Sequence, residues 1–189
     1  MRYAPDHNDA TRDRILEAAS RLFREHGIAA VGLAKIMAEA GLTVGTFYTH
    51  FKSKEALLRE ALLRSLDARH AELAQALRGA DLELLIRAYL SPEHRDAAGT
   101  GCTVAALASE VARHPRATRQ TFASHNALSL DALAAQLSSR RGKAVSRADA
   151  AALLGLLAGT LQIARATPDR AESDAVLEAG VRAALRLAA

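Results

Sequence analysis

Residues 43–51, Thr-Val-Gly-Thr-Phe-Tyr-Thr-His-Phe, followed by Lys52-Ser53-Lys54-Glu55, constrain the fold more than any other stretch of this 189-residue chain. In helical register Val44, Phe47, Tyr48 and Phe51 share one face, at i, i+3, i+4 and i+7. The opposite face then carries Gly45, Thr46, Thr49 and His50, all small or hydrogen-bonding. A helix this short is not stable alone in water, so its apolar stripe must dock on neighbouring helices. What remains outside is a polar ridge slim enough to enter a DNA major groove.

The preceding residues supply the partners for that docking. Over residues 11–27, Ile15, Ala18, Ala19, Leu22 and Phe23 recur at helical spacing, with Asp9 as an expected N-cap and Gly27 as a stop. A shorter pattern follows with Leu33, Ile36, Met37 and Ala40. In the connection Gly41-Leu42-Thr43, glycine accepts positive φ after a helix and threonine caps the next one. Helix, tight glycine turn, short helix is the helix-turn-helix layout. An ordinary αα-hairpin has the same order but gives no reason for so slim and polar an outer face.

Downstream, Ser53 caps a long pattern reaching Leu77 and closed by Gly79. Further helices are expected near 82–90, 102–113, 117–139, 147–166 and 173–187, with a loop over 91–101. Ser146-Arg147-Ala148-Asp149 is close to a capping box. The reading is all-α, with about nine helices. The last two are apolar around most of their circumference, more than one small domain readily buries, and a two-fold dimer that pairs them solves this. Gly155 and Gly159, at i and i+4, would let backbones approach closely there.

Half of the residues are hydrophobic, which suits close-packed helices. Net charge is +4, but residues 1–70 hold 11 Lys and Arg against 9 Asp and Glu, so each part of the chain carries +2. Local placement of Arg12, Lys52 and Lys54 therefore matters more than the total. Five of the seven Tyr and Phe residues lie in the first 51 positions, Tyr3 among them, leaving Tyr89 and Phe122 for the rest. The polar first residues suggest no leader, and the apolar run 150–161 is too short to cross a bilayer. One cysteine excludes an internal disulfide framework. A soluble, cytoplasmic protein is expected.

Residues 11–63 resemble the N-terminal DNA-binding domain of the TetR family of bacterial transcriptional regulators. The likeness rests on Ala18-Ala19, Leu22-Phe23 and Gly27, on Ile36-Met37-Ala38 with Ala40-Gly41, on the block 45–51, and on Lys52-Ser53-Lys54-Glu55-Ala56-Leu57-Leu58. One departure is Gly32, where relatives carry a capping Thr or Ser; glycine caps more weakly by a few tenths of a kcal/mol. The resemblance implies a three-helix DNA-binding domain over 9–69 and an effector-binding and dimerisation domain over 70–189. It implies a repressor that binds a palindromic duplex operator as a homodimer, paired through the last two helices and released by a small molecule. By the same resemblance Thr43, Val44, Gly45, Thr46, Tyr48, Thr49, His50, Lys52 and Lys54 face DNA, with the Tyr48 ring packed inward and its hydroxyl on a phosphate. No cofactor and no metal are implied.

An enzyme is the competing class, but none of the seven histidines follows a Glu by three residues, and no HExxH or phosphate-binding glycine loop occurs. A protein-binding helical adaptor is the third, and the polar ridge argues against it. An effector would sit among Tyr89, Cys102, Leu107, Phe122, Asn126 and Gln162, scarce aromatic or polar groups on apolar helices; for each, a role as a satisfied core residue is at least as good a reading. Cys102, at an expected helix start, is either a small buried hydrophobe or a reactive thiol.

Overall fold

The computed structural model describes residues 5–78 and 81–189, which hold ten α-helices, one short 3-10 turn and no strand among them. The helices are α1 (Pro5–His26), α2 (Leu33–Glu39), α3 (Val44–His50), α4 (Lys54–Leu77), α5 (Leu82–Tyr89), α6 (Pro92–Asp96), α7 (Thr103–Val111), α8 (Arg116–Arg141), α9 (Arg147–Ala166) and α10 (Arg170–Ala188). Gly79 and Tyr3 lie outside the described residues.

Local chemistry explains most of these boundaries. Gly27 ends α1 at φ +83°. Gly41, at φ +66°, closes α2 with a Schellman pair: the Leu42 amide donates to Met37 O at 2.8 Å and the Gly41 amide to Ala38 O at 3.0 Å. Ser53 Oγ accepts from the Ala56 amide to start α4. Ser146 and Asp149 form the anticipated capping box at the head of α9.

Four sequence expectations are corrected. Asp9 lies inside α1, which already runs from Pro5, and α10 opens at Arg170 because Asp169 caps it. The expected loop 91–101 contains α6, started by Ser91 Oγ accepting from the His94 amide with Pro92 in the first turn; this raises nine helices to ten. Thr43 takes the extended N-cap backbone of α3 but gives the helix no side-chain bond.

Two apolar cores organise the chain. The first gathers Ile15, Phe23, Ile36, Met37, Phe47, Leu57 and Leu58 from α1 to α4, and borrows Leu107 and Val111 from α7. The second joins Ile86 of α5, Leu137 of α8, Leu153 and Leu161 of α9, and Leu177 and Val181 of α10. Helix α4 spans the join, with its first half in the first core and Leu66, Leu73 and Leu77 farther along it lining a cavity.

Helices α9 and α10 cross closely at Gly180, where an added Cβ would lie 2.4 Å from Thr160 Cγ2 and 3.0 Å from Leu90 Cδ1. Gly180→Ala should therefore destabilise the chain by about 1–3 kcal/mol through overpacking, measured by urea unfolding. An unchanged midpoint would show that the crossing yields without strain.

Candidate nucleic-acid interface and interior cavity

Helix α3 is held by two rings. Phe47 is 0% and Phe51 3% exposed, and they stack with centroids 5.7 Å apart. The Arg12 guanidinium covers Phe51 at 4.7 Å and is ion-paired with Glu60. Adjacent helical residues point about 100° apart, so burying Phe47 turns Tyr48 outward. Tyr48 is 67% exposed, its ring edge-on to Phe47 at 5.2 Å, against the expectation that it packs inward. Val44, placed with the apolar stripe in the sequence, is exposed as well.

The outer face accordingly consists of Thr43, Val44, Gly45, Tyr48 and Thr49, with Lys52 exposed just beyond the helix. Thr46 and His50 lie half-buried on its flank. The Thr46 hydroxyl is 3.2 Å from that of Thr43, so these two side chains bond to one another. A Cβ built on Gly45 would meet nothing nearer than Thr43 Oγ1 at 3.8 Å. Nothing in the fold requires glycine at that position.

Two of the three cations singled out in the sequence serve the fold. Arg12 is engaged as described. Lys54 Nζ donates to Ile28 O at 2.7 Å and stands 5.9 Å over the Phe23 ring, so its ammonium is turned to the loop after α1. That loop is gripped from the other side by Glu110 near the end of α7, whose Oε2 accepts from the Ile28 amide at 2.9 Å and the Ala29 amide at 3.1 Å. Neither Glu110 nor this clamp was legible in the sequence.

A second joint lies at the head of α4. Glu55 accepts from the Thr118 hydroxyl and lies 3.0 Å from His114 Nδ1. Partial burial raises its pKa, but these two bonds outweigh it and hold the carboxyl below the usual range.

The C-terminal helices enclose a cavity of about 610 Å³ between α4, α5, α7, α8 and α9. Tyr89, Cys102 and Asn126 line it as anticipated. The other three do not. Phe122 and Leu107 pack on the first core, and Gln162 Nε2 donates to Ala105 O at 2.6 Å. His94 edges the cavity. Its Nε2 accepts from the Cys102 amide at 3.0 Å while Nδ1 lies 2.6 Å from Tyr89 O, which fixes a neutral ring protonated at Nδ1. Burial lowers its pKa in keeping with that.

With this geometry in hand, comparison with known proteins is decisive for the family. Residues 15–61 match the model for bacterial regulatory proteins of the tetR family. The chain belongs to the TetR family. Its first half is 41% identical over 81 residues to the HTH-type transcriptional regulator TtgR of Pseudomonas putida, a stretch that spans 43% of this chain and 38% of that protein. A TetR-family regulator from Agrobacterium tumefaciens superposes with TM-score 0.75 at 24% identity, covering 93% of this chain and 97% of that one. FadR of Bacillus subtilis, solved in complex with stearoyl-CoA, gives 0.63 at 19%, covering 89% and 97%. The TetR-family likeness is thus one of sequence over the first helices and of fold over the rest. These relatives are regulators rather than enzymes. No helix among the described residues is long and apolar enough to cross a membrane.

The Lys54 contact carries a prediction for stability. Lys54→Met should cost roughly 1.5–3 kcal/mol in urea unfolding, because Ile28 O loses a charged donor. A variant as stable as wild type would show that the lysine is free to serve another partner.

Proposed function

We propose that this chain is a cytoplasmic transcriptional repressor that binds a palindromic operator as a homodimer and is released by a small-molecule effector. One observation carries the DNA reading: the outer face of α3 is narrow, and it keeps at its head a glycine that the fold does not need. A glycine there costs the helix about 1 kcal/mol relative to alanine. Close approach to a DNA backbone or base edge is what would retain it. On this reading Gly45, Tyr48 and Thr49 enter the major groove, Thr43 and Val44 border it, and Thr46 and His50 support the flank. Lys52 meets phosphate, while Lys54 acts indirectly by seating the loop after α1.

The dimer rests on α9. Ala151, Ala152, Gly155 and Ile163 are exposed, Leu156 and Gly159 are half-buried, and none is charged. A Cβ on either glycine would meet nothing within 4 Å in the monomer. A second copy seated on this face would bury it and set two recognition helices about 34–36 Å apart, or a multiple of that spacing. Effector control rests on α7. Its first residue, Thr103, lines the cavity, and Glu110 in its last turn holds the loop of the DNA-binding unit.

An electrophoretic shift with the DNA flanking the encoding gene tests the reading directly. Gly45→Ala should weaken that complex by about tenfold or more, while raising unfolding free energy by up to about 1 kcal/mol. Lys52→Ala should weaken binding to every sequence and flatten its salt dependence. Undiminished affinity in Gly45→Ala would remove the case for α3 in the groove.

Self-association has its own check. Gly159→Arg should leave helical content intact by circular dichroism, yet yield a monomer by light scattering that no longer shifts the DNA. A dimer persisting in this variant would place the interface elsewhere.

A further inference from the structure

The cavity is apolar over most of its wall, with Leu66, Leu73, Leu130, Leu153 and Leu157 among its lining residues. Two hydroxyls interrupt it. Thr103 is 1% exposed and Tyr89 Oη is inaccessible to solvent, and neither oxygen has a hydrogen-bond partner. They are two of the four such buried side-chain atoms found among the described residues, and both residues line this one cavity. Buried hydroxyls almost always find a partner, so a pair left over in one cavity points to a group that arrives from outside.

The surroundings define the charge of that group. Thr103 and Val104 form the first turn of α7 at the cavity wall, and Cys102 at the N-cap gives those amides no side-chain acceptor. This is the positive end of a helix dipole. Arg69 also lines the cavity. Behind it, Arg24 donates to Gly99 O and Ser65 Oγ, and Arg165 to the carbonyls of His94 and Arg95, so both half-buried guanidiniums hydrogen-bond only neutral acceptors. His94, fixed as a neutral ring, adds no charge.

We propose that the cavity takes an aliphatic monocarboxylate: the carboxylate accepts from the Tyr89 and Thr103 hydroxyls at the head of α7, and the hydrocarbon lies along the leucines. The leucine-rich wall offers Tyr89 as its single aromatic ring, which favours an aliphatic body over a stacked aromatic one. The proposal rests on the reading of the C-terminal unit as an effector domain.

Titration calorimetry of the full chain with decanoate and with 1-decanol tests it. Decanoate should bind about tenfold or more tightly than decanol, the scale of a charge-assisted hydrogen bond. In the double variant Tyr89→Phe, Thr103→Val that preference should vanish, with decanol affinity unchanged. Without ligand the variant should melt no lower than wild type, since it loses only hydroxyls that had no partner. Equal affinities in wild type, or a preference that survives the double change, would overturn the proposal. DNA release is measured separately on the operator complex. Decanoate that binds with the stated preference but leaves that complex intact upholds the ligand class and defeats the effector reading. A neutral apolar compound that releases DNA from a protein indifferent to decanoate does the reverse.

Discussion

Seven residues cannot sustain a helix in water, and everything α3 displays depends on the burial of Phe47 and Phe51. The two rings fill the gap between α1, α2 and α4, and Arg12 seals Phe51 from above. Because they occupy the inward direction completely, the residues between and before them have no choice of face. Tyr48 is pushed out and Thr46 is turned toward Thr43. The composition of the outer ridge is therefore a consequence of core packing. Replacing either ring would change which side chains the helix offers before it changed whether the chain folds.

The same economy governs the joint between the two halves. The loop at residues 27–29 is a short segment between α1 and α2, and its backbone groups are satisfied from both sides of the molecule: amides by Glu110, a carbonyl by Lys54. Gly27 is the residue that allows this approach, since a Cβ there would stand 2.6 Å from Glu110 Oε1. Helix α7 is only nine residues, about 13 Å long, so its cavity end and its loop end move together. Any displacement at Thr103 reaches the orientation of α1 through one rigid element.

The local features were legible in the sequence. Gly41 as the turn of the helix-turn-helix, Ser53 as a cap and the Ser146–Asp149 box each depend on residues within a few positions of one another. What required the fold were partners far apart in the chain. Lys54 reads as a free cation beside a helix start, yet its acceptor is Ile28, 26 residues earlier. Phe122 and Leu107 sit at helical spacing that marks them as inward, but periodicity states only that a face is buried and not against which core. Both serve the first core, whereas the cavity is walled by the second. The Tyr48 error has the same origin: a stripe of four apolar residues is wider than a two-ring anchor can bury.

Glycines show how far a structure can separate what a sequence leaves alike. Gly45, Gly159 and Gly180 all stand inside helices, where glycine is the poorest choice after proline. For Gly180 the reason is internal, because Thr160 and Leu90 occupy the space of its side chain. For Gly45 and Gly159 no atom of the chain does so. Both lie on faces that carry few or no charges and that the described residues leave uncovered, one at the tip of the molecule and one on α9. A helix that gives up stability at a point its own fold leaves open has that point reserved for a surface that comes close. At Gly45 that surface is polar and grooved, to suit the threonines and tyrosine around it. At Gly159 it is apolar and flat, to suit alanine, leucine and isoleucine. The two open glycines thus mark two different partners by the company they keep.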